Sequence, residues 1–234
     1  MTDPIHPLTT RASETALRVV ETVKPELRGW LHAGTFPLAV AAGTVLVVLA
    51  PAGRVRVACA VFAVTAALLF GVSGLYHRGH WSPRAHRLLQ RLDHANIFLI
   101  IAGTYTPFTV RLLPGRRGRL LLGLVWGGAL LGVACRMLWV GAPRWLYTPV
   151  YLALGWAAVF YLPEFLRSSG PAVLTLILIG GALYSVGGIV YAVRRPNPSP
   201  RWFGYHEVFH ALTLAAFVTH YVAVSIVTYT APAR

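Results

Sequence analysis

Charge is what this sequence lacks. Asp, Glu, Lys and Arg make up 12% of its 234 residues, about half of the roughly 25% found in an ordinary soluble domain, while 56% are apolar. That excludes a soluble globular protein. Carboxylates are scarcer still: after Glu26 the chain has only Asp93, Glu164 and Glu207. Lysine occurs once, at Lys24. Both cysteines, Cys59 and Cys135, sit inside apolar runs, where a thiol behaves as a small buried hydrophobe, and no disulfide framework is implied. The 21 basic residues against 7 acidic ones would suggest nucleic acid if they were clustered, but they are dealt out a few at a time between apolar stretches. No nucleic-acid partner is expected. Residues 1–29 contain no apolar core followed by a cleavage site, so no cleaved signal peptide is expected.

What the chain does have is a series of apolar runs, each near the ~20 residues that cross ~30 Å of hydrocarbon. They place spans at about 30–50, 56–77, 92–111, 119–140, 144–163, 170–193 and 206–229. The expectation is an all-α, seven-transmembrane-helix bundle over 30–229, with a cytoplasmic segment 1–29 before it and an external tail 230–234 after it. Within the first segment, Arg11 to Arg28 reads as a short amphipathic interfacial helix. Gly/Pro breaks at Pro51-Ala-Gly53, Pro114-Gly115, Gly170-Pro171 and Pro196 to Pro200 fall between spans. Seven spans put the N-terminus and the second, fourth and sixth loops on one side, with 13 Lys and Arg, against 8 on the other. The positive-inside rule then gives a cytoplasmic N-terminus, an external C-terminus and a multi-pass protein of the cytoplasmic membrane. A retinal protein also has seven helices but needs a Schiff-base lysine inside the bundle, and Lys24 lies outside it.

Ionisable groups at membrane depth are costly and usually paired or functional. Glu164 reads as an interfacial residue beside Arg167. Asp93 opens the third span at its cytoplasmic end, where the helix dipole alone would favour an acid. Its company weakens that explanation. The second span ends Ser73-Gly-Leu-Tyr-His77 and the seventh begins His206-Glu-Val-Phe-His210, so the charge-derived topology gathers Ser73, His77, Asp93, His206 and His210 at one membrane face. His206 and His210, four apart, share a helix face and can bind one Zn²⁺, with His77 as a third ligand. Ser73, four before His77, faces the same way. His206 to His210 also matches H-E-x-x-H, with Glu207 as the general base of an intramembrane metalloprotease, but no carboxylate follows His210 to serve as a downstream ligand. His32 and His220 carry no expected role; His220 lies ten residues, about 15 Å, beyond His210.

These motifs resemble the haemolysin III family, the bacterial branch of the progestin and adipoQ receptor proteins. The likeness rests on Ser73-x-x-x-His77, on Leu-Asp93-His-Ala-Asn-Ile-Phe with Ala-Gly-Thr-Tyr-Thr-Pro-Phe108, and on His206-x-x-x-His210, and covers about residues 28–229. The segment Lys24-Pro-Glu-Leu-Arg-Gly-Trp-Leu-His32 departs from the pattern: Glu26 and His32 are counterparts of family positions, but the Asn and Thr are absent. The resemblance implies seven helices, zinc on His77, His206 and His210 near the cytoplasmic face, and Ser73 and Asp93 beside it. Through a similar constellation in alkaline ceramidases it implies a zinc-dependent hydrolase of a lipid amide or ester, with Asp93 as base and Ser73 orienting water or stabilising an oxyanion. Membrane lipid is then the substrate or ligand. The alternative is a non-catalytic, zinc-stabilised receptor or membrane-homeostasis protein.

Overall fold

The structure, a computed structural model, describes residues 25–139 and 143–230. Its helices are α1 (Trp30–Leu49), α2 (Arg54–Arg78), α3 (Pro83–Leu112), α4 (Arg116–Leu138), α5 (Arg144–Gly155), α6 (Leu162–Val193) and α7 (Tyr205–Thr230), with a 3₁₀ segment Ala157–Tyr161 joining α5 to α6. Five stretches are long and apolar enough to cross a membrane: Trp30–Leu49, Arg54–Arg78, Arg116–Leu138, Leu146–Val193 and Tyr205–Thr230. Leu38, Val48, Leu124, Leu131 and Ile189 point outward and exposed, as lipid-facing side chains must in helices whose own backbone bonds are closed. The chain is a multi-pass integral membrane protein.

Two expected spans differ in the structure. α3 starts at Pro83 rather than near residue 92: Ser82 Oγ accepts from the Ala85 N–H as an N-cap and Pro83 fills the first turn. The helix therefore carries Arg84, Arg87, Arg91 and Asp93 in its first half, which removes it from the apolar stretches. Asp93 lies ten residues inside this helix and so does not open it; the dipole, which acts within the first turn, does not explain it. The second difference concerns α6, which begins at Leu162 rather than 170. Gly170 adopts φ 78°, outside helical space, ahead of Pro171, and the flanking segments fold back on each other. Trp156 Nε1 donates to Ser185 Oγ at 2.9 Å, and Gly188 faces Thr148 and Leu152. The Arg11 to Lys24 part of the expected interfacial helix and the tail from 231 lie outside the described residues; Pro25 to Gly29 form a turn into α1, not a helix end.

Close helix crossings use small residues. A Cβ on Gly74 would lie 2.9 Å from Ala33 Cα, one on Gly43 2.8 Å from Ala63 Cβ, and one on Gly103 would collide with Thr65, so α1, α2 and α3 approach nearly backbone to backbone. α7 packs along α6 and also touches α1 and α3. Phe62, Phe70, Phe98 and Phe165 fill the interior. This order brings the end of α2, the beginnings of α1 and α7, and the first half of α3 together at one end of the bundle.

Candidate metal centre and the cavity behind it

Three of the four described carboxylates pair with an arginine. Glu164 of α6 pairs with Arg117 of α4, not with Arg167, whose Nε bonds the Pro163 carbonyl. Glu26 accepts from Arg201 Nε at 3.0 Å. Glu207 is almost fully buried; one oxygen pairs with Arg28 and the other accepts from the Gly204 N–H at 2.9 Å. It closes the first turn of α7 as a capping-box acid does. Each of its oxygens therefore has a structural partner, a pattern that accounts for the Glu of H-E-x-x-H as a helix cap without calling on a base. Asp93 is the exception among the described residues: no arginine pairs with it, and its Oδ2 lies 3.9 Å from His77 Nε2.

The three expected ligands converge. The nearest donor atoms of His77, His206 and His210 all fall within 4.8 Å of one another, and His77 Nε2 stands 3.1 Å from His206 Nε2. Two imidazole nitrogens on one tetrahedral metal at 2.0–2.1 Å would be ~3.3 Å apart, so His77 and His206 already stand at the spacing of two ligands on one divalent cation, and His210 lies close enough to complete the set by a small side-chain adjustment. His77 and His210 are buried, His206 half-buried. The close approach of the turn before α1 to the end of α2 depends on Gly29, whose φ of 81° turns the chain into α1; a Cβ there would collide with that of His77. Backbone bonds from Glu26 N to the Arg201 carbonyl and from Leu27 N to the Trp202 carbonyl stitch this turn to the α6–α7 connection.

Ser73 is buried on α2. Its Oγ lies beside the Asp93 carboxyl yet has no hydrogen-bond partner of good geometry. His32 was not expected here. It is 2% exposed, stacks on His210 with ring centroids 3.8 Å apart, and leaves both ring nitrogens unpartnered. It offers His210 a ring face rather than a lone pair, so it flanks the ligand set without joining it. No spacing rule would have found it; the signals are its place as a counterpart in the family pattern and a histidine in the first turn of an apolar helix, which the fold then delivers to the cluster.

A cavity of about 130 Å³ opens behind the cluster. Ser73, Asp93, His32 and His210 line one end and His220, on the same helix as His210, lies at the other, a separation of about 15 Å at 1.5 Å per residue. Ile97, Ile100, Ile101, Leu152 and Phe209 form much of the wall. Gly155 and Trp156 line it too and are exposed, so surface residues border the cavity where α5 gives way to α6.

The sequence matches the model of a family described as "Haemolysin-III related" over residues 20–221. It is 34% identical over 154 residues to the "Hemolysin-3 homolog" of Bacillus subtilis (strain 168), covering 66% of this chain and 69% of that protein. It is 36% identical over 135 residues to the "Hemolysin-3" of Bacillus cereus, covering 58% of this chain and 61% of that one. A match across nearly all of the helical region, together with this identity, means that the chain belongs to the haemolysin III family.

Proposed function

We propose that this protein is a seven-span zinc protein of the cytoplasmic membrane, its N-terminus in the cytoplasm, that hydrolyses a lipid amide or ester at the cytoplasmic end of the bundle. The observation that carries the reading is the meeting of three histidine donors with an arginine-free Asp93 at the end of an apolar cavity bordered by surface residues. Counting the α5 and α6 segments on either side of Gly170 as two crossings, and α3 as another, gives the seven.

His77, His206 and His210 would hold the metal. Three protein ligands suit a catalytic zinc, which keeps a position open, better than a structural one, which is closed by four. Zn²⁺ there supplies Lewis acidity and lowers the pKa of water towards ~7. Asp93 accepts the proton from the attacking water at Oδ2 and later delivers it to the leaving group. The Ser73 hydroxyl, with no other partner, is available to donate to a carbonyl oxygen as negative charge builds on it. The Ile97, Ile100 and Ile101 wall holds an acyl chain and keeps bulk water from the reacting end.

The test is a panel of lipid amides and esters presented in nanodiscs to zinc-loaded protein, beside Asp93→Asn. Removing a positioned general base is expected to cost about 10²–10⁴ in turnover while zinc stays bound. Undiminished turnover in Asp93→Asn would take Asp93 out of the mechanism. A zinc-loaded natural chain that hydrolyses nothing in the panel would leave the receptor or homeostasis reading in place of the enzyme.

A further inference from the structure

The far end of the cavity holds two polar groups that the hydrolytic site does not use. His220 is 8% exposed, and its Nε2 lies 3.2 Å from the Ile177 carbonyl oxygen. A carbonyl only accepts, so Nε2 carries the proton, and Nδ1 of the neutral ring is left as an acceptor. That Nδ1 is buried with no partner, and so is the Tyr184 hydroxyl, whose ring centroid lies 5.7 Å from that of His220. Both side chains line the cavity. The imidazole has been given room: a Cβ on Gly180 would collide with His220 Nε2, so glycine on α6 forms the slot that seats it. His220 also borders a second, smaller cavity lined by Phe108, Leu162 and Phe165, which continues the apolar space beyond it.

Unsatisfied polar atoms inside a hydrocarbon-depth cavity are costly, and ionisable residues there mark function by default. We infer that His220 and Tyr184 form a second polar subsite, which recognises a hydroxyl carried part-way along the chain of an amphiphile whose head lies at the histidine cluster. The chemistry sets the preference. Nδ1 can only accept, so the ligand must donate, and the Tyr184 hydroxyl can return a hydrogen bond to the same oxygen; a hydroxyl does both, whereas a bare methylene leaves both groups orphaned. The inference rests on the lipid reading of the cavity but not on hydrolysis.

Oleic and ricinoleic acids differ by one mid-chain hydroxyl and make the discriminating pair. Their retention by the natural chain, Tyr184→Phe and His220→Gln in nanodiscs is counted by native mass spectrometry. The natural chain is expected to prefer ricinoleic acid by about three- to tenfold, the scale of one or two net hydrogen bonds. Tyr184→Phe and His220→Gln are expected to bring the two acids within about twofold while oleic acid binding stays unchanged, which also reports that the variants fold. Equal retention of the two acids by the natural chain would overturn the subsite and leave the hydrolase proposal standing; it would mean that the two groups satisfy each other or share a water. A preference that survives both substitutions would place hydroxyl recognition elsewhere. Retention of neither acid would remove the lipid chain from the cavity and both proposals with it.

Discussion

The two ends of the bundle use their polar groups differently. At the end formed by the α1–α2 turn and the last turn of α7, they close on backbone or on each other. Arg56 donates to the Ala50 carbonyl, Arg111 Nε to the Val227 carbonyl at 3.2 Å, Ser168 Oγ to the Leu112 carbonyl, and Cys59 meets Thr228. Among the described residues there, only the Thr109 and Ser225 hydroxyls are buried without a partner. At the histidine end the imidazoles face one another, His32 leaves two nitrogens open, and Ser73 leaves its hydroxyl open. The first pattern is what a helix end inside a membrane needs for stability. The second leaves polar groups open at some cost, and such costs are tolerated where a ligand satisfies them. Glu207 marks the border, since its pairing with Arg28 belongs to the stabilising kind although it stands between two proposed ligands.

That contrast can be broken in three places. Glu207→Gln strips the charge from a buried pair and leaves Arg28 uncompensated, which is expected to destabilise the fold by about 3 kcal/mol. Thermal unfolding in detergent reads the loss; an unchanged midpoint would move Glu207 from the frame to the site. Arg111→Leu at the opposite end removes a charged donor to backbone, at an expected cost of about 1.5–3 kcal/mol, with metal content untouched. Lowered metal content in a folded Arg111→Leu sample would mean that the two ends are coupled. Ser73→Ala is expected to leave stability unchanged or slightly raised, because it deletes a buried hydroxyl that makes no hydrogen bond of good geometry. A clear destabilisation would show that the hydroxyl has a partner in the folded protein and is not held open for a ligand.

The histidine end was legible in sequence because its information is local. Two histidines four apart must share a helix face, and charge counting alone was enough to bring His77 and Asp93 to the same side. The rest depended on contacts between distant segments. His32 reaches the cluster only because Gly29 turns the chain over His77, and hydropathy carries no trace of that. Glu207 looked like a protease base in the motif and proved to be a cap once Arg28 and Gly204 N were beside it. The start of α3 was hidden for a different reason: Ser82-Pro83 is a good N-cap and first turn, but the charges from Arg84 to Arg91 made that stretch read as loop. Likewise Gly170-Pro171 was visible as a break, whereas the helical restart at Leu162, ahead of it, left no apolar signal of its own.

The proposed function requires that His77 on α2 and His206 and His210 on α7 hold one metal between them. Zinc per chain, measured side by side in nanodiscs for the natural sequence and for His77→Ala purified without chelator, tests it most directly. The expected result is about one zinc per chain that is lost in His77→Ala. No zinc in either sample, or stoichiometric zinc in both, would contradict it.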